Sequence, residues 1–165
     1  MATANQLLDV LGEQVSVLKE LQETLQDEQK AIVGLDTTVM EILNSKKEQL
    51  IVRQRKLTDL LGQVMFETAK QFDLPQSATL TEIAEKSPAS VKPQIVALQQ
   101  KVKQIGSAVT LLANQNRGML ERFLGVVNDS LGYILRILNT STTYGMRGTY
   151  LANAQSGAVM VNREA

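Results

Sequence analysis

From Val91 to Ile137 the chain repeats apolar residues at alternating steps of three and four, and few folds accommodate such a run. The positions are Val91, Ile95, Leu98, Val102, Ile105, Val109, Leu112, Asn116, Met119, Phe123, Val126, Ser130, Tyr133 and Ile137. Twelve of these fourteen are apolar, which is the signature of a helix presenting one stripe to a neighbour. A helix spanning 91–139 is about 73 Å long at 1.5 Å per residue. It needs partners of comparable length.

Two earlier segments supply them. Ala4, Leu8, Leu11, Val15, Leu18, Leu25 and Ile32 form a seam interrupted by Gln22 and Gln29, predicting a first helix from a Thr3 cap to about Val33. Gly34 is placed to end it in a left-handed conformation, and either Asp36 or Thr38, the latter with Glu41, can cap the next. The second helix is expected over 36–71, with Val39, Ile42, Leu43, Leu50, Leu57, Leu60, Leu61 and Val64 on its inner face. "KKEQ" and "RQRK" lie largely off that face. So short a turn makes the pair an antiparallel hairpin. All three prolines, at 75, 88 and 93, fall in or beside "DLPQSATLTEIAEKSPASVKP". There Thr79 and Glu82 form a capping box that predicts a short connecting helix near 80–86.

The fold class that follows is all-α: an antiparallel helical hairpin, a short connecting helix and one long C-terminal helix in a three-helix, coiled-coil-like bundle. The expected domain is 1–139, with a flexible tail over 140–165. The second helix reaches only about 54 Å at the same rise, so something near a third of the last helix is short of partners. In that third, Leu120, Leu124, Val127, Leu131, Ile134 and Leu138 add a second stripe beside the first. The two cover about 160° of the helix, more than a two-neighbour seam requires. The surplus is either further core, covered by residues 73–90 or by a second copy, or a docking groove for an amphipathic helix. Membrane-surface contact lacks the basic flank it needs. Gly118, Gly125 and Gly132 recur on the opposite face, by chance, to soften the helix or to admit a partner backbone. Asn116 and Ser130 read as polar positions that set register.

Composition removes most chemistry. With no Cys and no His, disulfides, thiolate nucleophiles, imidazole bases and the usual zinc sites are excluded. Glu20, Glu23, Asp27 and Glu28 read as solvated surface rather than a metal site, so catalytic residues, metal and cofactors are all expected to be none. No leader or membrane segment is expected, since the first basic residue is Lys19 and apolar runs are short. That makes the protein cytoplasmic by default. The net charge of zero divides into −6 over residues 1–45 (two basic, eight acidic), +3 over 46–72 (six basic, three acidic), −2 over 73–90 (one basic, three acidic) and +5 over 91–165 (eight basic, three acidic), which suits helices that pack on each other. The basic clusters are too sparse for nucleic acid.

Three stretches carry a resemblance. "LQDEQKAIVGLDTTVMEILNSKKEQLIVRQRKL" is similar to the helix-turn-helix start of the FlgN family of flagellar export chaperones. "LLANQNRGMLERFLGVVNDSLGYILRIL", with Asn114 and Asn116 ahead of a leucine-rich end, resembles that family's last helix. "TYGMRGTY" resembles the Thr-Tyr-Gly-x-x-Gly that commonly follows it. The resemblance implies binding, not catalysis: a type III secretion chaperone that covers the amphipathic terminal helices of hook-associated proteins and brings them to the export gate. Carried onto this sequence, it assigns substrate binding to Leu120, Phe123, Leu124, Val127, Leu131, Ile134 and Leu138, and gate docking to Tyr144, Gly145 and Tyr150. The tail's own apolar residues, among them Leu151, Val159, Met160 and Val161, are expected to order on a partner. The competing expectation is a structural coiled-coil scaffold or phasin-like protein whose wide stripe closes a homo-oligomer.

Overall fold

The computed structural model describes residues 2–141, and side chains from 4 to 138. Four helices follow in order, α1 Ala2–Gly34, α2 Thr37–Gln71, α3 Leu80–Lys86 and α4 Lys92–Ser141, with no strand among the described residues. The chain divides into two units, residues 1–120 and 121–165. The first is a bundle of the all-α class read from the sequence.

Helix ends follow local chemistry, with two departures from expectation. α1 begins at Ala2 rather than at a Thr3 cap. At its other end the left-handed residue is Leu35, with φ of 53°, and not Gly34. Asp36 N donates to the Ala31 carbonyl and Leu35 N to that of Ile32, the paired bonds of a Schellman turn. The two-residue link then leaves Asp36 as the α2 cap, its Oδ1 accepting from Val39 N at 3.1 Å, so the Thr38 and Glu41 pair is not used. α2 stops the same way, with Asp73 at φ 53° and Leu74 N donating to the Ala69 carbonyl. The capping box at α3 forms as read. Thr79 N donates to Glu82 Oε2 at 2.6 Å, and Glu82 N donates to Thr79 Oγ1 at 3.3 Å. The backbone N–H and then the hydroxyl of Thr79 hold the Glu82 carboxyl below its ordinary pKa. That contribution is complete above the usual glutamate range and is lost as pH falls through the lowered value.

Within the first unit α1 is the central element and buries two faces. Leu7, Val10 and Leu11 pack with Val64 and Ala69 of α2, Ile83 and Ala84 of α3, and Ile95 of α4. Farther along, Val17, Leu21 and Leu25 pack with Leu50 and Leu57, and with Val109 and Leu112. Contacts that climb α1 therefore climb α4 and descend α2, which makes α1 and α4 parallel and α2 antiparallel to both. The seam read on α1 is half of what is buried: Leu7, Val10, Val17 and Leu21 join it. On α2, Val39, Ile42 and Leu60 are exposed, whereas Thr68 and Ala69 are buried. The segment between α2 and α4 spends its apolar residues on the cluster around Leu7, and Gln99 of α4 donates to Thr81 on α3. It seals that end of the core.

One polar contact joins all three long helices. Asn116 Nδ2 of α4 donates to the Leu25 carbonyl and to Glu28 Oε2 of α1, both at 2.8 Å. Lys47 Nζ of α2 donates to the other carboxylate oxygen of Glu28. Glu28 is 7% exposed and Asn116 2%, which corrects the reading of Glu28 as solvated surface and of Lys47 as off the face. The register-setting role expected of Asn116 has here a physical basis, since a shift of α4 by one turn strands a buried amide and half-satisfies a buried carboxylate. Exposed pairs add little by comparison: Arg53 lies 3.9 Å from Glu13 and 4.0 Å from Glu20, contacts worth roughly 0–1 kcal/mol each. Removing one member of the buried set is costlier. Lys47→Met is expected to lower the unfolding free energy by about 2 kcal/mol in urea titrations, and Glu28→Gln in the same chain to restore most of it, a coupling of about 1–2 kcal/mol.

Candidate functional site

The last buried residue of α4 is Asn116, and from Glu121 to Leu138 every residue is exposed. Of the fourteen seam positions the first nine are therefore at least half-buried, and Phe123, Val126, Ser130, Tyr133 and Ile137 are not. That overturns their assignment to the bundle seam. Periodicity reports which side of a helix is apolar, not whether anything covers it. Ser130 donates its hydroxyl to the Val126 carbonyl of its own helix at 2.8 Å, so it sets no register.

Of the candidate substrate-binding residues, Phe123, Leu124, Val127, Leu131, Ile134 and Leu138 lie together on this exposed stretch, from 37% exposed at Val127 to 58% at Leu124. Leu120 does not. It is half-buried in the first unit, lining a groove of about 530 Å³ with Glu28, Thr37, Met40, Glu41, Asn44, Ser45 and Lys47. The sequence reading missed Leu135, which is 58% exposed and belongs to neither stripe. A helical wheel would have found it beside Leu124. Adding Val126, Tyr133, Leu135 and Ile137 widens the apolar arc to about 200° at 100° per residue. Glu121, Arg122, Asn128, Asp129 and Arg136 share the remaining arc with Gly125 and Gly132. Ten large apolar side chains near half exposure present on the order of 1,000 Å² of apolar surface, above the roughly 300–600 Å² of the largest patch on a typical monomer.

The gate-docking candidates Tyr144, Gly145 and Tyr150 lie outside the described residues. No helix among the described residues is long and apolar enough to cross a membrane. No carboxylate cluster there has the makings of a metal site. The exposed surface can do one thing well, which is to pack against another apolar surface.

The family comparison agrees with that chemistry. The model of the FlgN protein family matches residues 1–152. The chain belongs to the FlgN family. That makes it a flagellar export chaperone in general terms, and the match runs through the whole hairpin, the exposed end of α4 and the Thr-Tyr-Gly stretch. No curated protein and no solved structure matches this FlgN chain.

The glycines on the back of α4 bear on how firm this surface is. A Cβ added at Gly118, Gly125 or Gly132 meets nothing within 4 Å, so no backbone among the described residues requires them to be small. What remains is their cost to helix stability, about 1 kcal/mol each relative to Ala. Gly125→Ala and Gly132→Ala should each slow amide hydrogen exchange across residues 121–138 about fivefold, with no clash and no change in the exchange of α1.

Proposed function

We propose that this FlgN-family chain acts in the cytoplasm, holding the amphipathic terminal helices of hook-associated proteins on residues 121–138 and delivering them to the flagellar type III export gate through its C-terminal segment. The observation that carries the reading is the uninterrupted exposure of an apolar arc on one helix. At 1.5 Å per residue the face is about 27 Å long, enough for five turns of a substrate helix. A helix that later assembles through its own apolar stripe needs that stripe hidden until export, and a complementary stripe hides it without forming a bond that must be broken. No catalytic step is involved.

An arc of about 200° is wider than one docked helix covers, so the face has room for more than one element, from one substrate or from two. The polar arc, with two acids and two arginines among Glu121, Arg122, Asp129 and Arg136, keeps the opposite side wetted. Tyr144, in "TYG", is the residue proposed to touch the gate, with Gly145 freeing the backbone beside it and Tyr150 second. Because the tail sits past the end of α4, capture and delivery fall on different residues.

The central test is Val127→Asp with Leu131→Asp, two charges in the middle of the face. Capture of a hook-associated protein in a pull-down and by calorimetry is expected to fall at least a hundredfold while the circular dichroism spectrum keeps its helical content. Global unfolding of the pair would place both side chains in a core and end the docking reading. A concentration-independent assembly in light scattering that ignores added hook-associated protein would favour a scaffold instead. Tyr144→Ala is expected to weaken binding to the isolated gate domain about tenfold and leave the affinity for the hook-associated protein within twofold.

A further inference from the structure

The tail contains a second apolar block that neither capture nor gate docking uses. Ala158, Val159, Met160 and Val161 follow one another without interruption, and no charge occurs between Arg147 and Arg163. We propose that in the substrate-free chain this block docks on the exposed face of residues 121–138 and occupies it until a substrate helix displaces it, an inference that rests on that face being the substrate site.

Two observations favour the chain's own tail over other occupants. The spacer length suits the span. From Ser141 back to the middle of the face, between Val127 and Leu131, is twelve residues of helix, about 18 Å. From Ser141 forward to Ala158 is seventeen residues, whose root-mean-square extension as a flexible chain is about 23 Å. Gly145, Gly148 and Gly157 lie within that spacer, with small and polar residues around them. A tether whose mean reach matches the distance to its site gives an effective concentration in the millimolar range. A second copy of the chain at micromolar concentration would need contacts about a thousandfold better to compete. Finally, an uncharged segment can lie on an apolar surface without stripping water from an ion, which favours residues 148–162 over the charged stretches of α1 and α2.

Competition of this kind gives a graded lock rather than a closed one. Four small apolar residues cover less than a five-turn substrate helix, so the tail keeps adventitious apolar ligands off and yields to a true substrate.

The chain has no cysteine, so a nitroxide placed through Ser156→Cys in the full-length protein reports a single position. Methyl resonances of Leu124, Val127 and Leu131 should broaden, those of Leu7 and Leu57 should not, and Val159→Asp with Val161→Asp should abolish the effect. Sharp face resonances in the labelled chain would overturn the proposal. So would broadening found only when spin-labelled and isotope-labelled chains are mixed, which identifies a second copy. The same Asp pair without the label should bind a synthetic terminal helix of a hook-associated protein about tenfold more tightly than the unaltered chain. Equal affinities, with no broadening, remove the tail and leave the chaperone reading intact. Broadening present while neither chain binds the helix removes the substrate reading and leaves the docked tail.

Discussion

The carboxylate of Glu28, held between Lys47 and Asn116, sets the register of this bundle. Apolar seams alone leave a helical hairpin free to slide by a heptad at small cost, because one leucine replaces another. A buried carboxylate with one partner on each neighbouring helix has no such alternative. Asn116, matched to Leu25 and Glu28, is the last buried residue of α4, and the side chains from Glu121 to Leu138 are exposed. Desolvating the ion pair makes it a poor source of stability and a good source of uniqueness.

Helix 121–141 would be marginal as a peptide, since twenty or so residues barely repay nucleation in water and two of them are glycine. It is the continuation of a helix already nucleated by the buried half of α4, so each further turn costs only propagation. This explains how an apolar face can persist in helical form without a core beneath it. It also accounts for the glycines there, since each lowers only the propagation of a helix that is already started.

Much of the bundle was legible because its determinants are local. The α3 capping box lies within four residues, and the boundaries of α2 and α3 follow from Asp36, Thr79 and the prolines. What needed two chains of residues to be aligned was not. Leu7, Gln14, Leu21 and Glu28 stand seven apart on α1 and are all buried, but two of the four are polar, so the line did not register as a seam. Gly34 was the natural choice for the left-handed position. The structure instead puts Leu35 there, because the two-residue link must leave Asp36 at the start of α2. On α4, Val126, Tyr133 and Ile137 carried the same spacing as Ile95 and Leu112. Only helix lengths hinted that partners run out, and the width of the second stripe was the better signal.

A face that must wait for its ligand poses a problem that its own chemistry cannot solve. On the order of 1,000 Å² of apolar surface is sticky toward any exposed helix, and sharpening its shape would only favour one substrate over another. Discrimination against everything else needs a competitor that is always present, weak and quick to leave. Folding such a competitor into the core would make it permanent, whereas a tethered segment with few apolar residues is present at high local concentration and is displaced by any ligand that makes more contacts. The tail segment proposed above, past the end of α4 and after a glycine-containing spacer, would meet both requirements without altering a single residue of the bundle. Under that proposal, the balance between selectivity and release would lie in the number of apolar residues the block offers, four against the ten of the face.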